Sequence, residues 1–395
     1  MGGFREIILL VLLAGCTLLI SNVFLNGSLN NPVNLSGELK SPPDSLYQWN
    51  IGTEAPFKYR VLQRAIVIST YKLIIGRNDS NSTFFLIYQA YAVLFHILSI
   101  LLFRYFLIKI SMAEVALAGS ILFALLPPLF MAYNTPVHTR EDTLAYSLLI
   151  IGLLAIIQNN TFSILATSLL GILCRETLLL LAFVNLFFNK KQSLWVRLAI
   201  ALACFGLFFL IRISYGIENY NHLEGFNWNL QNLEQVIGFG YIAFGFLWIP
   251  FFLSFIKSKQ PSTVSSILTS SGPSVFVLVI TTTFMGGIFN EIRLLYLLAP
   301  WVIVAALTYY LKNKEDIKLL FRTKRFLLFM FISLAFVLIL IVFAFSNIHH
   351  LVGTSQYDIP YKPWIVIALT QAYLGMVSLP FFLKSLKKGM VFRER

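Results

Sequence analysis

Long apolar runs separated by polar turns dominate the chain. They fall at about 6–26, 85–107, 113–132, 143–158, 161–173, 176–188, 194–213, 236–256, 273–289, 294–311, 326–345 and 364–383. Most approach the roughly 20 residues that a helix needs to cross a hydrocarbon core. The pattern predicts an all-α, polytopic transmembrane bundle of about twelve helices, forming one integral-membrane domain over 1–395. The first run contains LAGC at 13–16, which resembles a lipoprotein cleavage box. Apolar residues continue after it, so an uncleaved helix is expected. The longest early polar interval, 27–85, is expected to be an outer loop. Within it, 61–75 is apolar but interrupted by Arg64 and Lys72. That stretch is too short to span and predicts an interfacial helix.

The pair 161–173 and 176–188 is the hardest to place. A single helix over both would put Arg175 and Glu176 at mid-bilayer, at about 2.5–3.5 kcal/mol per charge on insertion scales. Two short helices, tilted or re-entrant, meeting at CRET (174–177) are expected instead. Charge supports this division. With the amino terminus in the cytoplasm and twelve crossings, one side carries 19 Lys/Arg and 5 acids, and the other carries 11 and 12. The resulting balances of +14 and −1 make a clear positive-inside signature. Merging the doubtful pair would spoil it.

Composition agrees. The chain is 58% hydrophobic and only 12% charged, against about 25% charged in soluble domains. Mean hydropathy is +0.78. The net charge of +13 is therefore read as an orientation signal, and no nucleic-acid partner is expected. Cys16, Cys174 and Cys204 all lie in apolar segments, and the five histidines show no metal-ligand spacing. No Gly-rich phosphate loop occurs, so no nucleotide site is expected.

Candidate chemistry then collects on the outer side. GTEAPFKYRVL at 52–62 packs Glu54, Lys58, Arg60, Phe57 and Tyr59 into a few residues, with Asp44 upstream in PPDSLY (42–47). Pro56 disfavours helix at Ala55. Lys58 and Arg60 are expected to face the head-group layer. Three further turns join an arginine to acids beside an apolar run: Arg140, Glu141 and Asp142; Arg175 and Glu176; Glu291 and Arg293. Arg212 ends a run on the same side. Taken singly, each turn also reads as ordinary solvated helix-end charge. Ionisable groups at membrane depth are costly and tend to mark function. Arginine suits phosphate through its planar fork, and a neighbouring carboxylate can hold it, bind a hydroxyl or act as a base. A lipid-linked phosphate or pyrophosphate carrying a sugar needs both. Tyr47, Trp49, Phe57, Tyr59, Trp228 and Trp364 are candidate surface aromatics for sugar faces, or a membrane-interface belt.

This layout resembles the GT-C class of integral-membrane glycosyltransferases, in a poorly characterised bacterial branch. The resemblance rests on architecture and on the short segments EAPFKYRVL (54–62), CRETLLL (174–180) and EIRLLYLLAP (291–300). It implies transfer of a sugar from a polyprenyl-phosphate donor to a glycan or lipid acceptor at the extracytoplasmic face. It implies a first-loop acid as base or metal ligand. Asp44, in an Asp-x-x-Tyr context with Tyr47, and Glu54 both match, with Asp44 slightly preferred. The donor phosphate is assigned to Arg175 and Arg293, with Arg140 or Arg60. Glu141, Asp142, Glu176 and Glu291 are the supporting acids. No cofactor is required by these residues, and a divalent metal is compatible with them. No WWDYG-type acceptor motif occurs in the sequence and no carboxyl-terminal soluble domain is expected, which argues against protein N-glycosylation. The expected location is the bacterial inner membrane with both termini cytoplasmic, among membrane lipids. Two other readings stay open: a transporter or flippase of lipid-linked sugars, and a polysaccharide polymerase or ligase.

Overall fold

The structure is a computed structural model, and it describes residues 2–20, 45–51, 59–75, 81–130, 141–217, 222–256, 266–287 and 292–314. Among these residues the secondary structure is entirely helical. Four helices are long and apolar enough to cross a membrane: Leu86–Lys109, Leu194–Tyr215, Ser266–Gly286 and Leu294–Lys312. The predicted runs at 326–345 and 364–383 lie outside the described residues.

Two compact units are present, one of Met1–Gln231 with Pro261–Trp301 and one of Asn232–Gln260 with Val302–Arg395. In the first, α1 (Gly2–Ile20) and α4 (Asn81–Lys109) run beside each other. Two contacts set their antiparallel register. Arg104 pairs with Glu6, its Nε lying 3.0 Å from Oε2, and Thr17 Oγ1 lies 3.1 Å from His96 Nε2. Between them in sequence come α2 (Leu46–Ile51) and α3 (Leu62–Ile75). Then follow α5 (Ala116–Ala124), α6 (Pro127–Phe130), α7 (Asp142–Gln158), α8 (Thr161–Cys174), α9 (Leu179–Phe188) and α10 (Leu194–Tyr215). The unit continues with α11 (His222–Gln231), α14 (Ser266–Gly286), a 3₁₀ segment at Ile292–Leu298 and the start of α15 (Ala299–Lys312). The second unit holds α12 (Leu233–Phe244) and α13 (Trp248–Ile256).

Several predicted runs are divided. The run at 113–132 gives a 3₁₀ turn, α5 and then α6, because Pro127 and Pro128 cannot continue a helix. The run at 236–256 breaks at Gly245, whose φ of 53° and ψ of −129° suit only glycine. Helix α14 starts before the run predicted at 273–289 and passes through Pro273, since Ile267, Leu268, Ser271 and Gly272 are already buried.

Helix α7 is the centre of the first unit. It packs against α4, α8, α9 and the 3₁₀ segment. Every residue from Asp142 to Ile150 is buried. A helix apolar on all sides belongs in a core. Its two ends are polar. At the far end Asn159 takes a left-handed cap conformation (φ 59°) and Asn160 caps α8 through Ser163 N at 3.0 Å. There Asn189 donates to Asn159 and Asn185, and Gln192 to Thr161. With 17 residues, α7 is about 25 Å long, close to the hydrocarbon thickness of a bilayer. The unit thus has an apolar middle between two polar ends.

Helix α11 lies against the end of α14 through a close backbone approach. A Cβ at Gly225 would sit 2.9 Å from the Gly287 carbonyl oxygen. The Asn229 amide donates to the Phe284 and Gly287 carbonyls at 2.8 and 2.7 Å, satisfying acceptors left open at the end of α14. Gly225→Val is expected to force these helices apart and cost about 1–3 kcal/mol. Thermal unfolding of the purified protein in detergent checks this, and an unchanged midpoint would show that the approach is not tight.

Candidate functional site

The site begins with the spacing of α3 and the residues before it. Arg60, Gln63, Arg64, Val67, Ile68 and Tyr71 are all buried, and they recur at the three- and four-residue intervals of one helical face. The face is split. Val67, Ile68 and Tyr71 pack with Phe84, Ile87 and Tyr88 of α4. Arg60, Gln63 and Arg64 form the polar half. The chain entering α3 is held at both sides. Val61 N donates to the Leu173 carbonyl near the end of α8 at 2.8 Å. The Tyr59 hydroxyl donates to the Gly216 carbonyl at the end of α10 at 3.0 Å.

Two more elements bring their ends here. Helix α7 starts at Asp142 with Glu141 before it, a position where carboxylates suit the helix dipole. Between α8 and α9 the chain is extended at Arg175 (φ −159°, ψ 129°) before a 3₁₀ turn at Glu176–Leu178. The break turns Arg175 inward. Its Nη1 pairs with Asp142 Oδ1, and its guanidinium lies 5.7 Å from the Tyr296 ring centroid. Arg60 Nη1 is 3.7 Å from the same Asp142 oxygen. Arg64 donates from Nε to Glu141 Oε1 at 2.8 Å and from Nη1 to Asn50 Oδ1 of α2 at 3.0 Å. All five charged side chains are at most 3% exposed.

The two arginines on Asp142 differ electrostatically. Burial opposes the charge of Arg175, but Asp142, followed by Tyr296 and Glu176, outweighs it and holds its pKa above the usual value. For Arg60, burial and then the neighbouring Arg175 lower the pKa, and Asp142, Glu176 and Glu141 only partly oppose them. Asp142 is thus the shared counter-ion of both, in direct contact with Arg175 and 3.7 Å from Arg60.

A rim reaches the surface beside this group. Tyr47 is 56% exposed and its ring lies 6.0 Å from that of Tyr215. The Arg212 guanidinium sits 3.7 Å from the Phe208 ring centroid and 4.6 Å from that of Tyr59.

Of the residues singled out from sequence, Arg60, Glu141, Asp142 and Arg175 come together, with Glu176 half-buried and within electrostatic reach of Arg60 and Arg175. Two expectations are corrected. Arg60 does not face the head-group layer, and Tyr59 is not a surface aromatic; both are buried because the ends of α8 and α10 clamp the entry to α3. Asp44, Glu54, Arg140 and Glu291 lie outside the described residues. Arg293 opens the segment that carries Tyr296, but its side chain is likewise outside them. Sequence reasoning missed Arg64, Asn50, Gln63 and Tyr296. Arg64 read as an interruption of an apolar stretch, although its four-residue spacing from Arg60 was the available signal. Among the described residues no group of three or more His, Cys, Asp or Glu side chains gathers as a metal site.

No protein-family model matches the chain. No curated protein shows significant sequence similarity to it either.

Removing one partner of a buried ion pair strands the other charge. Asp142→Ala is therefore expected to destabilise the fold by about 3–5 kcal/mol, and Asp142→Leu with Arg175→Met to recover only the part due to Arg175, since Arg60 still loses its counter-ion. Denaturant or thermal unfolding of the three proteins measures it. Equal stability of the single and double variants would show that the pair is not buried as described.

Proposed function

We propose that this protein is a membrane glycosyltransferase of GT-C type. It moves a sugar from a polyprenyl-phosphate donor to a glycan or lipid acceptor at the extracytoplasmic face. The observation that carries the reading is the convergence of Arg60 and Arg175 on one oxygen of Asp142. These residues come from the first polar loop, the α8–α9 break and the start of α7. Two of those segments also carry the sequence resemblance to the class.

The chemistry follows from the arrangement. A guanidinium has five donors in a fixed fork. A single carboxylate oxygen, Oδ1 of Asp142, holds Arg60 and Arg175 side by side. Held in a buried setting, the two cations suit a phosphate that gains charge as the glycosidic C–O bond breaks. The group lies at the end of a helix of hydrocarbon length, so a lipid tail can stay in the bilayer while its head enters the site. The Tyr47–Tyr215 edge offers a stacking surface for a sugar ring. Asp44 and Glu54 remain the first-loop acids that the class resemblance assigns to base or metal-ligand roles. Charge gathered at one end of α7, away from its middle, favours transfer over transport; transporters bind near the midplane.

Transfer from a panel of labelled polyprenyl-phosphate hexoses, using the protein in lipid nanodiscs, tests the reading. Arg60→Gln is expected to reduce transfer about 10²–10³-fold and to weaken binding of polyprenyl monophosphate. Arg197→Gln, at the opposite polar end, should leave both unchanged. Full transfer by a folded Arg60→Gln protein would remove Arg60 from the phosphate site. Failure of the wild-type protein to bind polyprenyl monophosphate would remove the whole proposal.

A further inference from the structure

The Arg64 half of the buried group carries different chemistry from the Arg60–Asp142–Arg175 half. Glu141 gives Oε1 to Arg64, while its Oε2 is buried with no hydrogen-bond partner among the described residues. On the other flank of Arg64, Asn50 gives Oδ1 to the guanidinium, and its Nδ2 is buried and equally without a partner. Gln63, beside Arg64 on the same helical face and 1% exposed, has neither amide atom paired among the described residues. A buried polar atom left without a hydrogen bond costs about 1–3 kcal/mol, more when it is charged. Two such side chains, from α2 and the start of α7, meet on Arg64, and the third is its chain neighbour on α3; together they indicate a ligand with both donors and acceptors.

Phosphate does not fit this half. An ionised phosphate accepts hydrogen bonds, and the open oxygen of Glu141 would repel it. A hydroxyl fits: it donates to a carboxylate oxygen and accepts from an amide. Arg64 holds the carboxyl group by its other oxygen at 2.8 Å, so Oε2 is fixed in place opposite the amides.

Resting on the transferase reading above, we infer that Glu141 is the general base of the reaction and that Asn50 and Gln63 bind the acceptor sugar's hydroxyl groups. The acceptor O–H gives its proton to Glu141 Oε2. The oxygen forms a bond to the donor's anomeric carbon as the bond from that carbon to the phosphate oxygen breaks. The electron pair leaves with the polyprenyl phosphate, which Arg60 and Arg175 stabilise. The proton then passes from Glu141 to solvent. This assigns proton transfer to the start of α7, in place of the first-loop acids Asp44 and Glu54.

The test compares Glu141→Gln, Glu141→Asp, Asp44→Asn and Glu54→Gln with wild type, using the full chain in nanodiscs. Polyprenyl monophosphate is the binding probe and labelled polyprenyl-phosphate hexoses are the donors. Glu141→Gln is expected to lose about 10²–10⁴-fold in transfer while polyprenyl monophosphate affinity stays at the wild-type value. Glu141→Asp keeps the charge opposite Arg64 and so avoids a stranded cation. Its carboxylate is drawn back by one methylene, and about a 10²-fold loss is expected for a misplacement near 1 Å. It decides the matter if Glu141→Gln does not fold. Wild-type transfer by either folded Glu141 variant overturns the inference and leaves the transferase reading standing. So does loss of transfer in Asp44→Asn or Glu54→Gln while a Glu141 variant retains it. Absence of both binding and transfer in the wild-type protein overturns the two together.

Discussion

The first unit depends on a buried carboxylate with more than one cation around it. Asp142 opens the central helix α7, is fully buried, and offers one oxygen to both Arg175 and Arg60. Without that charge, Arg175 could not remain inside the protein at a helix break, and the chain entering α3 would lose an attachment. Desolvation of such groups can exceed their mutual attraction, so a buried ion pair is weak evidence for stability. Apolar residues of similar size would hold three helix ends together as well. Retention of five charged side chains there is more readily explained by what they can bind than by what they stabilise.

The geometry separates this group from the rest of the protein's polarity. Helix α7 is buried along nearly its whole length and polar at its ends. One end carries ions, Glu141 and Asp142 with their arginines. The other carries buried amides, Asn185, Asn189 and Gln192, beside Asn159 and the cations Lys190, Lys191 and Arg197, with the Glu6–Arg104 pair joining α1 to α4 elsewhere in the unit. The apolar middle keeps the two ends apart by about the thickness of a hydrocarbon core.

Parts of this were legible beforehand and parts were not. The helix break at Arg175 was readable because a continuous helix would have carried two charges into the bilayer centre. Glu141, Asp142, Arg175 and Glu176 were readable as one group because the charge balance of the runs predicted a common side for them. Arg64 was not recognised, since a single charge within an apolar stretch looks like an interfacial residue until its partner is known. The partner, Glu141, is 77 residues away. Tyr59 looked like an interface aromatic for the same reason: its carbonyl partner at Gly216 comes from a distant helix end.

The sequence by itself determined the helical class, the positions where apolar runs stop, and which residues carry charge between them. Those follow from local physics: hydropathy, proline and glycine geometry, and the cost of a charge in oil. Tertiary structure decided which charges are buried and which carboxylate each arginine meets. It also divided runs that hydropathy alone joined, at Pro127 and Gly245. Pairing between segments far apart in sequence depends on how helices pack, and helix packing depends on the shapes of whole faces. No local pattern encodes that.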